Sequence, residues 1–112
     1  MIDNAETAWL LAEDQLGDHQ TTAILAYNYA NLIYSIVPAK AIKPLERVLE
    51  LLDNNDAMFG AEPPDLLLAI TRAYIEREDA KAHRKLRKLL NNREQAGFVP
   101  SLAAARGWAI IA

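Results

Sequence analysis

A repeat inside the chain constrains its fold more than any other feature. Shifting the 112-residue sequence by 41 positions superposes one helix-length pair of segments on another. Tyr29 meets Ile70 and Ile33 meets Tyr74. Ala41 meets Ala82, Leu45 meets Leu86, Val48 meets Leu89 and Leu49 meets Leu90. The shared spacing is that of one face of an α-helix, not the alternation of a strand. Repeats at such periods signal stacked supersecondary units, each too small to bury its apolar face alone.

Breakers divide the chain into six helix-length segments. The first is expected from Asp3 to Leu16, with Ala5, Trp9, Ala12 and Leu16 inward and Gly17 ending it. A second runs from Gln20 to Ile36 and is apolar nearly all round, as for a helix buried on two sides. Pro38 breaks it, and a third covers Ala39 to Leu52 with Ala41, Leu45, Val48, Leu49 and Leu52 inward. The fourth opens at Pro63 or Pro64, where a first-turn proline is tolerated, and reaches Arg77. The fifth spans Asp79 to Leu90, before Asn91-Asn92, with Ala82, Leu86, Leu89 and Leu90 inward. A sixth begins at Pro100-Ser101 and continues to the last residue. Short connections between helices two and three, and four and five, make antiparallel hairpins. Ala5, Trp9 and Ala12 repeat the spacing of Ala41, Leu45 and Val48, so the first helix reads as a second half-hairpin. The last, with Gly107 and Ile110, reads as a first half-hairpin.

Composition agrees with an all-α single domain over residues 1–112. The 52% hydrophobic content is largely Ala and Leu, both strong helix formers. A net charge of −3 argues against nucleic acid, although the charge is unevenly placed. Residues 1–39 carry five acids and no Lys or Arg, while all twelve basic residues follow. There is no cysteine, which removes thiol catalysis and fits a reducing compartment. The N-terminus lacks the basic start of a signal peptide, and no apolar run approaches the ~20 residues that span a bilayer. A soluble cytoplasmic protein without a membrane segment is expected.

Several stretches resemble the tetratricopeptide repeat, and more narrowly the longer repeats of kinesin light chains and their bacterial relatives. They are Leu16-Gly17-Asp18-His19, Tyr27-Asn28-Tyr29-Ala30, and Ala41 followed by Pro44-Leu45-Glu46-Arg47-Val48-Leu49. Phe59-Gly60-Ala61-Glu62-Pro63 occupies the linker position of the second copy. Gln20 replaces the linker proline, and Thr71 stands where Gly or Ala is usual. The resemblance implies a right-handed α-solenoid, TPR-like, of about six helices. It also implies a concave groove lined by the first helix of each hairpin, holding a peptide or helix of a partner. Carried over residue by residue, the groove would comprise Tyr27, Asn28, Asn31 and Tyr34, then Leu68, Arg72 and Glu76, and Trp108 in the last helix. Asn can donate to and accept from a peptide backbone, and Tyr adds apolar area with a polar tip. The competing reading makes the tyrosines packing residues and the asparagines solvated.

Two further surfaces stand out. Lys81, Arg84, Lys85 and Lys88 share one helix face, which suits either an acidic partner or simple solvation. Interleaved aromatics for base stacking are missing from it. Trp108, Ile110 and Ile111 leave an apolar end that either packs internally or meets a partner, such as a second copy in a homodimer. His19 and His83 lie too far apart to suggest a metal pair, and His19 is expected to cap or pack. Neither Ser35 nor Ser101 has a nucleophile's neighbours, and no phosphate loop exists, so neither catalysis nor a cofactor is expected. The alternatives to a peptide-binding module are an assembly subunit joined through its end helices and an RNA-binding stack.

Overall fold

The computed structural model describes residues 2–51, 63–97 and 101–111. Among the described residues six α-helices follow one another: α1 (Ile2–Gln15), α2 (Gln20–Ile33), α3 (Ile42–Leu51), α4 (Pro64–Ile75), α5 (Ala80–Gln95) and α6 (Leu102–Ile111). A 3-10 turn over Pro38–Lys40 lies between α2 and α3, and no strand occurs among the described residues. The all-α expectation is met. Leu52, Phe59, Gly60 and Pro100, all invoked above, lie outside the described residues.

The caps explain most of the boundaries. At Gly17 the backbone enters the left-handed region (φ +58°), and Leu16 N–H and Gly17 N–H both donate to Ala12 O. Such a residue after the last turn satisfies carbonyls that the helix leaves free. His19 caps α2, its Nδ1 accepting from Thr21 N–H at 3.0 Å. Asp79 caps α5 by accepting from the backbone N–H groups of Lys81 and Ala82. Ser101 Oγ accepts from Ala104 N–H at the start of α6. Each side chain satisfies N–H groups that have no partner in a first helical turn.

Three boundaries differ from the sequence expectation by three residues or more. Helix α2 stops at Ile33, not Ile36, because Pro38 disfavours helical geometry in the residue before it. Val37 accordingly has φ −130° and ψ 80°. Residues 38–40 then take the tighter 3-10 turn, so α3 begins at Ile42 and not at Ala39. Helix α5 passes through Asn91-Asn92 to Gln95. The propensity cost of exposed Asn is under ~1 kcal/mol per residue, too small to break a helix anchored by Leu86 and Leu90. Gly97, at φ +83°, ends it instead.

Each helix packs mainly on its sequence neighbours, and α4 is the hub, touching α3, α5 and α6. Helix α2 lies between α1 and α3 and buries Ala23, Ala26, Tyr29 and Ala30, as its all-round apolar content implied. Thr71, fully buried, donates its hydroxyl to Leu67 O at 2.8 Å, so the polar atom is satisfied within its own helix. Gly107 marks a close approach of α6 to α4 and α5. A Cβ there would stand 3.2 Å from Leu90 Cδ1 and 3.3 Å from Ile70 Cγ1. The repeat is unequal in burial. Leu45 and Leu86 are both fully buried, yet Leu90 is 1% exposed and Leu49 37%. The difference has a direct cause, since α6 covers Leu90 while Leu49 borders a cleft. Leu16, expected inward, is also exposed, because the chain turns away at Gly17.

Candidate functional site

The face of α2 that looks outward carries Thr21, Ile24, Asn28, Asn31 and Leu32, all exposed. These positions follow the helical repeat and form one stripe. Asn28 and Asn31 therefore lie free of the core, flanked by the apolar Ile24 and Leu32. Tyr27 and Tyr34 turn the other way and are buried, at 7% and 2% exposure. The structure thus separates the asparagines from the tyrosines on the same helix.

Leu68, Arg72 and Glu76 lie along a second surface. A cavity of about 80 Å³ between α3, α4 and α5 is lined by Leu49, Asp65, Leu68, Ala69, Arg72, Ala82 and Lys85. Beyond Arg72 it is succeeded by an open cleft of about 370 Å³ lined by Ile42, Arg72, Ile75 and Glu76. Leu68 is buried, Arg72 half-buried and Glu76 exposed. Arg72 reaches across the cleft to Glu46 at 3.3 Å. Neither cleft is lined by Tyr27, Asn28, Asn31 or Tyr34, so the eight expected groove residues divide between two surfaces and the core.

The first helices nonetheless converge at one end. Tyr34 and Tyr74 place their ring centroids 6.3 Å apart. Arg106 of α6 donates to the Tyr34 hydroxyl at 2.8 Å. Burial raises the Tyr74 phenol above its ordinary pKa, and the nearby Arg106 charge partly offsets this. Sequence reading did not single out Tyr74 or Arg106 as partners, because their link to Tyr34 depends on how α2, α4 and α6 assemble.

A polar centre of another kind ties α1 to α3. Arg47 bonds Glu13 at 2.9 Å, Asp18 at 2.7 Å and Glu50 at 2.7 Å. Glu13 also accepts from Trp9 Nε1, and the Trp9 ring stacks on Tyr29 at 5.8 Å. The Tyr29 hydroxyl donates to Glu6. Burial, then the Glu6 bond and charge, raises the Tyr29 phenol pKa, while the Glu13 and Asp18 carboxylates hold the Arg47 guanidinium more firmly protonated. One sequence signal pointed here: the acids of residues 1–39 have no basic partner among themselves.

The basic residues Lys81, Arg84, Lys85 and Lys88 are all exposed on α5. None of them joins an ion pair among the described residues. Trp108, Ile110 and Ile111 are half-buried and pack against the core. The open face of α6 is instead formed by Leu102, Ala105 and Ala109. His83 buries an Nε2 that has no hydrogen-bond partner among the described residues. No group of three or more ligating side chains suited to a metal occurs among the described residues. Likewise no described helix is long and apolar enough to cross a membrane. No protein-family model, curated protein or solved structure matches the chain.

Proposed function

We propose that this protein is a non-catalytic protein–protein interaction module, a TPR-like stack of helix hairpins that binds a peptide or helix of a partner protein. The observation that carries this reading is the outward stripe of α2. Asn28 and Asn31 are exposed there beside Ile24 and Leu32. Two side chains able to pair with a peptide backbone thus stand next to apolar area that a ligand can cover. The cleft along Leu68, Arg72 and Glu76 is a second, separate surface open to the same kind of ligand. Adaptor, chaperone and regulatory roles all use this mode of binding. A cytoplasmic setting accords with the absence of cysteine.

The deciding variant is Asn28→Ala with Asn31→Ala. Both residues are exposed, so helicity and melting temperature should stay at the wild-type value. Proteins retained by the immobilised wild type should be lost from the variant in a quantitative comparison by mass spectrometry. An identical set of retained proteins would remove the α2 stripe from the binding surface and the proposal with it.

A further inference from the structure

We infer that the acidic face of α1 in one molecule docks on the basic face of α5 in a second copy, so that molecules associate head to tail. The inference is independent of the peptide-binding proposal. It rests on charge complementarity between two surfaces of the same chain.

The two ends of the molecule carry opposite charge. Residues 1–39 contain five acids and no Lys or Arg, whereas residues 80–111 contain seven cations and one acid, Glu94. Arg47 neutralises part of the acidic end through Glu13 and Asp18. Asp3 and Asp14 stay exposed and join no ion pair among the described residues. They bracket Leu10 and Leu11 on the outward stripe of α1, where the leucines are 52% and 54% exposed. An apolar centre with acidic ends is thereby presented to solvent.

Helix α5 supplies the complement. Lys81, Arg84, Lys85 and Lys88 are exposed and free of ion pairs among the described residues. Their aliphatic stems can lie over the leucines while their charged heads reach Asp3 and Asp14. Helices α2, α3 and α4 pack in sequence between α1 and α5, so one molecule cannot close this contact on itself. A two-fold contact of α1 with α1 would instead set Asp3 and Asp14 against their own copies, which like-charge repulsion disfavours. The complementary arrangement is heterologous: each molecule offers one face of each kind, and association adds molecules in line.

Two variants test it by sedimentation velocity over a range of concentrations. Leu10→Gln with Leu11→Gln removes the apolar centre of the α1 face, and Lys85→Glu with Lys88→Glu reverses the charge of the α5 face. All four positions are exposed, so circular dichroism should show each variant as helical as the wild type. The wild type should associate progressively with concentration and dissociate at high salt. Either variant alone should be monomeric. An equimolar mixture should form a one-to-one dimer and nothing larger, since one sound face of each kind remains. A monomeric wild type at every concentration would overturn the inference, including one that binds an oligonucleotide through Lys85 and Lys88. So would a mixture that stays monomeric, an association that strengthens with salt, or a Lys85/Lys88 variant that still self-associates while the leucine variant does not.

Discussion

Arg106 and Tyr34, 72 residues apart in the chain, are joined by a 2.8 Å hydrogen bond from the guanidinium to the phenolic oxygen. Through it the last helix is held to the end of the second. Tyr34→Phe keeps the ring beside Tyr74 and removes the acceptor. The expected cost is about 1 kcal/mol of stability. Amide exchange should rise in α6 more than in α1, measured by mass spectrometry; equal changes in the two helices would contradict this link.

Arg47 serves three carboxylates of unequal exposure. Glu13 is 26% exposed, Glu50 68% and Asp18 82%. Arg47→Met should cost roughly 1.5–3 kcal/mol in chemical denaturation, because Glu13 keeps its charge in a half-buried site. Asp18→Asn and Glu50→Gln should each cost under about 1 kcal/mol, and added salt should shrink those costs further. Combining Arg47→Met with Glu13→Gln should cost less than the sum of the two single changes. Additive costs would show that the pair is uncoupled.

Gly107 is a packing glycine. Gly107→Leu forces a side chain between Leu90 and Ile70, and a loss of roughly 1–3 kcal/mol is expected from overpacking. Gly107→Ala is a finer probe. Its Cβ meets the Leu90 Cδ1 methyl at 3.2 Å and the stiffer Ile70 Cγ1 at 3.3 Å, and this crowding offsets the helix-propensity gain of up to ~1 kcal/mol. Denaturant midpoints should therefore place Ala close to the wild type and Leu well below it. An Ala variant as damaged as Leu would mean that α6 cannot yield at all.

Asp79 gives the α5 cap a pH dependence of known sign. Its carboxylate accepts from Lys81 and Ala82 backbone N–H groups, which lowers its pKa from 3.8. A lowered folded pKa contributes stability that is present above the unfolded value and lost as pH falls through the folded one. The advantage of the wild type over Asp79→Ala should hold at neutral pH and fade on acidification below about pH 3.8. Asp79→Asn should keep the cap and lose that pH dependence. A wild-type advantage independent of pH would exclude the carboxylate as the source.

Much of the helical order was legible because its signals are local. Gly17, Pro64 and Asp79 each act within a turn of their own position, and α1, α4 and α5 begin or end beside them. The inward stripe of Leu45 and Leu86 follows from periodicity alone. The exposure of Leu49 did not, since it depends on which neighbour covers which face. The candidate surface shows the same division. Helical spacing put Asn28 and Asn31 on one stripe, but whether Tyr27 and Tyr34 face solvent is decided by packing against other helices. Arg47's role needed α1 and α3 to be placed side by side.

The sequential packing of the helices has a consequence for the order in which the protein can mature during synthesis. As the chain leaves the ribosome, α1 meets its partner as soon as α2 emerges, and α2 meets α3 next. Contacts between near neighbours in sequence close at little entropic cost, so each addition can settle before the following helix exists. Glu13 waits until residue 47 has emerged, and Tyr34 must wait until residue 106. The bond between Tyr34 and Arg106 is thus made late, as a clasp on a structure whose earlier helices are already built.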